Sequence, residues 1–374
     1  RGRVRQNGIC THAYLTGAAR TDLLARHLRS VAYVKDTLRV HLPAEIPLLP
    51  VAANYAVLSL RHDYTEDAAA LAYPLFLLAA WLWDDIADTN KGSVWAAHAL
   101  SEGLPRIVRA VNGDDHSSAR RVQDDQSSLV DSLSAIMAAA QKLWRRDVIE
   151  YAPRIESEVV RFFASFLDKV KLTHRAGGQS QSFEAARAVC VGMQPCYEMA
   201  YAFKARSAKL VPREHLAYLA APAVGACADA ATLHCAAVND LFSMYKDRCL
   251  EDTANFPAVF GHGAGLSDYF NGAVSTVSYA RRMYDTFRTR CARLPPGPGK
   301  TAVVETWEHM MEGNFLFHLL VPRYREGVTL VQALLDPDLT GEQQYVRFAK
   351  LFEGPMPAQA FQPRMESPGR GLCV

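Results

Sequence analysis

Apolar residues recur along most of the chain at three- and four-residue spacing, the period of helices that turn one face to a core. An early segment carries Leu23, Leu24, Leu28, Val31, Val34 and Leu38 in that register, before Pro43, Pro47 and Pro50 interrupt it. Thr65 followed by Glu66 and Asp67 reads as a helix cap with first-turn acids, opening the helix or helices that reach Asp88. The same spacing predicts helices over 93–111, 126–149, 151–172, 183–206, 213–221, 223–249, 267–293 and 300–319. Segments 112–125, 173–182 and 294–299 are rich in Gly, Pro, Ser or Asp and read as loops, while the arm 1–20 and the Pro-rich tail 354–374 read as irregular. No alternating run marks a strand, and neither a Gly-x-Gly-x-x-Gly nor a P-loop occurs. The expected class is all-α, a large helical bundle around a pocket.

Composition narrows this picture. At 374 residues the chain has room for two domains, yet it offers no long Gly/Ser linker and no shift in composition between halves, so one domain over 1–374 is the simpler reading. Hydrophobic residues make up 49%, enough for a sizeable core, and a net charge of +2 with basic residues spread evenly argues against a nucleic-acid partner. The eight cysteines form no Cys-x-x-Cys pair and no zinc spacing with histidine, so they read as reduced packing residues of a cytoplasmic protein. None of the twelve histidines shows ligand pairing, and none stands out as catalytic. The apolar run Leu71–Trp83 is too short to cross a bilayer, and the Ala-rich stretch His215–Val238 is interrupted by Pro222, Asp229 and His234, so it reads as a buried helix pair and no membrane span is expected. No coiled-coil seam is apparent, which leaves monomer and homodimer both open.

Two acidic signatures carry the chemistry. The apolar run ends in Asp84-Asp85-Ile86-Ala87-Asp88, and a second run continues into Asn239-Asp240-Leu241-Phe242-Ser243-Met244-Tyr245-Lys246-Asp247. Charge beside so much apolar surface is costly unless a metal or charged ligand compensates it. Asn239, Ser243 and Asp247 stand at i, i+4 and i+8, so each step turns the side chain by only about 40° and advances it about 6 Å. They form one stripe of an amide oxygen, a hydroxyl and a carboxylate, hard donors suited to Mg2+ with phosphate oxygens completing its octahedron. Lys246 adds positive charge beside the stripe, which favours a diphosphate. Asp84 and Asp88 are again i and i+4, a carboxylate pair able to face the stripe. Asp85 and Asp240 point about 100° away from their neighbours and are better placed to orient a partner such as an arginine. An acidic cluster alone is weak evidence, as the bland pair Asp124-Asp125, flanked by Gln and Ser with no apolar run before it, illustrates; the pair of signatures is far more specific.

With these residues in view, the chain resembles the class I terpene synthases, and among them the single-domain microbial enzymes, most of all fungal sesquiterpene cyclases. That family pairs an aspartate-rich motif with Asn-Asp-x-x-Ser-x-x-x-(Asp or Glu), usually with Lys before the last acid. The likeness extends to Glu251-Asp252-Thr253-Ala254-Asn255, to Gly313-Asn314-Phe315-Leu316-Phe317, to Arg323-Tyr324, and to Arg187 with Gly192 five residues on. Ala188 follows Arg187 where bacterial relatives often carry a second arginine, and Phe317 stands where many carry Trp.

The resemblance implies the class I terpenoid fold and a lyase that ionises farnesyl diphosphate and cyclises the cation. It implies three Mg2+ ions, held by Asp84, Asp88, Asn239, Ser243 and Asp247 together with the substrate diphosphate. Arg187, Lys246, Arg323 and Tyr324 would recognise that diphosphate. By helical phase, Leu77, Ala80 and Trp81 lie on the Asp84 side, and Met310, Asn314 and Phe317 form a comparable stripe on a later helix; these six are the candidate cavity residues. Geranyl or geranylgeranyl diphosphate as substrate, a chain-elongating prenyltransferase and a non-catalytic isoprenoid-binding protein are the alternatives. The elongating family needs a second aspartate-rich motif where this chain has its Asn/Ser/Asp stripe.

Overall fold

A computed structural model describes residues 30–36, 49–60, 71–89, 94–114, 125–173, 180–249, 251–263, 265–321 and 324–353, and among these every regular element is helical. In chain order they are α1 (30–36), α2 (Leu49–Leu60), α3 (Ala72–Thr89), α4 (Val94–Asn112) and α5 (Asp125–Asp147). A single 3-10 turn, Ile149–Tyr151, leads into α6 (Ala152–Thr173), α7 (Ser180–Cys190), α8 (Met193–Ser207), α9 (Pro212–Leu219) and α10 (Pro222–Cys249). The series ends with α11 (Phe256–Gly261), α12 (Leu266–Ala292), α13 (Pro298–Leu320), α14 (Arg325–Leu335) and α15 (Gly341–Lys350).

Helix α10 is the axis of the arrangement and packs on α7, α12, α13 and α14. Its buried surface is rich in small residues, Ala228, Ala230, Ala231, Ala236 and Ala237, which let neighbouring helices approach closely. Helix α3 lies against α5, and α13 against α2. Helix α8 is buried on almost every side from Met193 to Ala205, the mark of an interior helix. Its two interior charges are paired, Glu198 accepting from Arg154 at 2.8 and 2.7 Å and Lys204 Nζ lying 3.4 Å from Glu305. Unpaired, either would carry a large desolvation penalty.

The helices expected over 93–111, 126–149, 151–172, 213–221, 223–249, 267–293 and 300–319 are present, their ends moved by at most two residues, as helix ends do. Of the early segment from Leu23 to Leu38 only 30–36 is described, as helix. One prediction fails: 183–206 is not a single helix. Val191 and Gly192 separate α7 from α8, and Gly192 sits at φ 75°, a left-handed backbone that breaks the hydrogen-bond ladder. Apolar spacing runs on across the break, so periodicity does not register it. Helices α2, α11, α14 and α15 lie outside the periodic reading. α2 is nearly all apolar and shows no face contrast, and α11 has only six residues. α15 does announce itself locally, since Thr340 accepts from Gln343 N at 3.3 Å while Gln343 Oε1 accepts from Thr340 N at 2.9 Å. Thr65, the arm 1–20 and the tail 354–374 lie outside the described residues.

The Ala-rich stretch forms α9 and α10, which meet at 67°, and no single helix among the described residues is long and apolar enough to cross a membrane. Helix α14 is brought against α10 by a glycine: a Cβ on Gly327 would fall 1.8 Å from the Phe242 carbonyl oxygen. Gly327→Ala is therefore expected to lower stability by about 1–3 kcal/mol, the usual penalty of overpacking. Chemical denaturation checks it, and a loss under about 0.5 kcal/mol would mean that α14 slides without resistance.

Candidate active site

A cleft opens among α2, α3, α6, α7, α8, α10 and α13. The α10 stripe Asn239, Ser243 and Asp247 lines it as the spacing predicts, with Lys246 beside it and Asp84 contributed by α3. Tyr324, at the entry to α14, also lines the cleft and packs its ring 4.4 Å from that of His318. The side chain of Asp88 and the whole of Arg323 lie outside the described residues.

Of the six candidate cavity residues, Leu77, Ala80, Trp81, Asn314 and Phe317 line the cleft and Met310 does not. Asn314 bridges two walls, its Oδ1 accepting from Tyr55 OH at 3.3 Å and its Nδ2 donating to the Cys235 carbonyl at 3.3 Å. Met310 lies one turn, about 6 Å, beyond that polar bridge and is 0% exposed in the core. Helical phase alone does not register where along a stripe a cavity ends.

The apolar walls are strongly aromatic. Trp81 and Phe317 stack at 5.5 Å and 11°, and Tyr55 meets both edge-on at 5.9 and 4.8 Å. Phe162 makes edge contacts with Phe76 at 5.4 Å and Phe166 at 5.2 Å, on the wall supplied by α3 and α6. Such pairs contribute about 0.5–1.5 kcal/mol each beyond their burial and hold the ring faces in fixed orientations.

Arg187 and Asp240 form a close, buried ion pair in the site. Arg187 Nη2 lies 2.5 Å from Asp240 Oδ1 and its Nε donates to the same oxygen at 3.1 Å. Asp240 is 1% and Arg187 10% exposed. The Phe256 amide donates to the second Asp240 oxygen at 2.9 Å, so Asp240 serves an arginine and a helix end, as its angular offset from Asn239 suggested. Burial pushes the Asp240 carboxyl upward against the pull of Arg187 and the Phe256 amide. Burial opposes the Arg187 charge, but the Asp240 carboxylate and, to a smaller extent, Cys190 together more than offset it and hold Arg187 well above its ordinary value. Arg187 Nη2 donates as well to Asn239 Oδ1 at 2.9 Å, which ties the arginine directly to the stripe.

The segment after α10 folds back onto it. Asn255 caps α11 by accepting from Ala258 N at 2.9 Å, and its Nδ2 donates to the Asp252 carbonyl at 2.8 Å and reaches Asp247 Oδ2 at 3.5 Å. The Asp252-Thr253-Ala254-Asn255 continuation thus braces the last acid of the stripe. His318 is the residue that the sequence reading passed over. It is buried in the cleft wall, its Nδ1 2.6 Å from the Asn314 carbonyl and its Nε2 3.1 Å from Asn239 Nδ2. Its spacing of four from Asn314 was the available signal.

Residues 76–277, more than half of the chain, match the sequence model of terpene synthase family 2, C-terminal metal binding. The chain belongs to this family. Both signatures fall inside the matched span. Solved structures similar to this terpene synthase include 2-methylisoborneol synthase from Streptomyces coelicolor A3(2), in complex with Mg2+ and geranyl-S-thiolodiphosphate, at 14% identity and TM-score 0.61 over 87% of this chain and 98% of that one. Germacradien-4-ol synthase from Streptomyces citricolor aligns at 14% identity and TM-score 0.54 over 84% and 98%. The SVS_A2 protein from ancestral sequence reconstruction aligns at 16% and 0.60 over 80% and 86%. At such identities the likeness is one of fold, the all-α class I terpene synthase fold. No curated protein sequence matches the chain significantly.

The donor set of this terpene synthase fits a hard divalent cation. Asn239 and Ser243 supply neutral oxygens and Asp247 a carboxylate along one face of α10, with the Asp84 carboxylate on α3. Among the described residues no group of three or more His, Cys, Asp or Glu side chains is arranged to hold a metal ion, so the stripe's neutral oxygens from Asn239 and Ser243 belong to the candidate donor set.

Proposed function

We propose that this terpene synthase is a Mg2+-dependent sesquiterpene cyclase that ionises farnesyl diphosphate, releases diphosphate and cyclises the allylic carbocation to a sesquiterpene hydrocarbon or alcohol. The observation that carries the reading is the lining of a single cleft, which combines hard oxygen donors, Lys246 and Arg187 with stacked aromatic rings. Bound Mg2+, held by Asn239, Ser243, Asp247 and Asp84 with help from Asp88, would offset the charge that develops on the departing diphosphate. Lys246, Tyr324 and Arg323 add donors for the same oxygens, and Arg187 adds its positive field from its anchor on Asp240. The hydrocarbon chain then lies against Leu77, Ala80, Trp81 and Phe317, which exclude water and offer aromatic faces to the migrating charge. The chain length and single-domain layout of the enzymes it resembles favour farnesyl over geranyl diphosphate.

The test is incubation of the pure protein with Mg2+ and geranyl, farnesyl or geranylgeranyl diphosphate, with and without isopentenyl diphosphate, followed by analysis of the extract. Cyclic sesquiterpenes from farnesyl diphosphate, dependent on Mg2+, are expected. Longer prenyl diphosphates would identify an elongating enzyme, and no diphosphate release from any substrate would refute catalysis. Within the same assay, Phe317→Leu removes one aromatic face while keeping bulk. It is expected to redistribute products and to slow turnover by roughly fivefold, the equivalent of an interaction of about 1 kcal/mol. An unchanged product profile would remove Phe317 from the cavity wall that steers the cation.

A further inference from the structure

We propose that His318 is a positioning residue that fixes which way the Asn239 amide faces, and thereby presents Asn239 Oδ1 to the cation side of the cleft. This rests on the reading of Asn239 as a metal ligand and extends it to a residue on another helix. The argument is one of donors and acceptors. His318 Nδ1 lies 2.6 Å from the Asn314 backbone carbonyl, which can only accept, so the proton sits on Nδ1. In the neutral ring Nε2 then carries a lone pair and can only accept, and the group 3.1 Å away is the Asn239 side-chain amide. The amide must therefore turn its NH2 toward His318. Its Oδ1 is left facing the opposite way, where Arg187 Nη2, which can only donate, lies 2.9 Å from it. The two contacts impose the same orientation from opposite ends of the amide, and the second Oδ1 lone pair stays available for a cation.

The ring itself has little freedom to turn. His318 is 1% exposed, stacks on Phe242 at 5.3 Å and 20°, and is flanked by Tyr324 at 4.4 Å and Phe317 at 5.4 Å. An Asn ligand differs from a carboxylate in that a flip of its amide replaces a metal-binding oxygen by a repelling NH2. A residue that forbids the flip preserves the ligand. Hydrogen-bonded partners of metal ligands typically contribute about 10–100-fold in metal affinity.

The experiment is calorimetric titration of Mg2+ into the full chain in the presence of inorganic diphosphate, with thermal unfolding recorded for each variant. His318→Met keeps a similar volume without a strong acceptor and is expected to weaken Mg2+ binding by about 10–100-fold. His318→Gln can place Oε1 near the position of Nε2 and is expected to restore binding to within about threefold of the parent chain, a recovery that a purely packing role does not require. In an Asn239→Asp background there is no amide to orient, so adding His318→Met is expected to change binding by less than about threefold. Parent-like binding in His318→Met, or equal losses in His318→Met and His318→Gln, overturns the proposal. Should Asn239→Ala bind Mg2+ like the parent chain, the ligand reading itself fails; should Asn239→Ala lose binding while His318→Met keeps it, only the positioning role fails. A measurement on the unaltered chain guards against variants that do not fold: 15N-histidine shifts are expected to show His318 with a protonated Nδ1 and a lone-pair Nε2, and the opposite tautomer would overturn the orientation argument.

Discussion

Asn239→Ala is expected to lower turnover by about a thousandfold or more while leaving the helical circular dichroism unchanged. Loss of a metal ligand removes several kcal/mol of stabilisation from the departing diphosphate, and about 4 kcal/mol corresponds to a factor of a thousand. The fold should survive, because Asn239 is only partly buried and Arg187 retains its two bonds to Asp240 Oδ1. The structural loss should be limited to hydrogen bonds with Arg187 and His318, about 1–3 kcal/mol for the groups left without that partner. Asp84→Ala should behave in the same way from the α3 side of the cleft. Diphosphate release and circular dichroism on the same preparations provide the check. Turnover within tenfold of the parent enzyme in either variant would falsify that residue's assignment as a ligand.

Asp240→Ala is expected to be the most destabilising single change at the site. It leaves the Arg187 guanidinium, 10% exposed, without its anion, and breaking a buried pair from one side costs about 3–5 kcal/mol. It also removes the acceptor of the Phe256 amide at the start of α11. Replacing both partners with apolar residues, Arg187→Met with Asp240→Leu, should recover much of that loss, since the desolvation of two charges is removed along with their attraction. The double variant should nevertheless release diphosphate slowly, because Asn239 Oδ1 has lost the donor that holds it. Denaturant midpoints for the single and double variants test the energetic half of this, and steady-state kinetics the other. A loss below about 1 kcal/mol for Asp240→Ala would mean that Arg187 finds water or another acid in its place.

The two signatures show why part of the site was legible and part was not. Asn239, Ser243 and Asp247 converge because i, i+4 and i+8 share a helix face wherever that helix lies. The demotion of Asp240 followed from the same angular rule, and its arginine partner is present in the structure. Met310 was misplaced because phase says which face a residue is on, not at which height a cavity closes; Asn314 decides that height by bridging to Tyr55 and Cys235. The continuous helix expected over 183–206 fails at one left-handed residue, a backbone choice to which side-chain periodicity is blind. His318 escaped attention because its role is defined by two partners, one of them on another helix.

Local order in this protein, then, is a property of the sequence: the helical class, the long helices, the oxygen-donor stripe on α10 and the family to which the chain belongs all rest on relations within a few turns or on short motifs. The tertiary structure decides what converges. Arg187 reaches Asn239 across 52 residues and His318 reaches it across 79, separations at which helical periodicity carries no information. Those contacts arise from the close approach of α7 and α13 to α10, set by the complementary packing of whole helix faces. The orientation of a single amide, and the shape of the aromatic wall that reaches it through His318, are consequences of that packing.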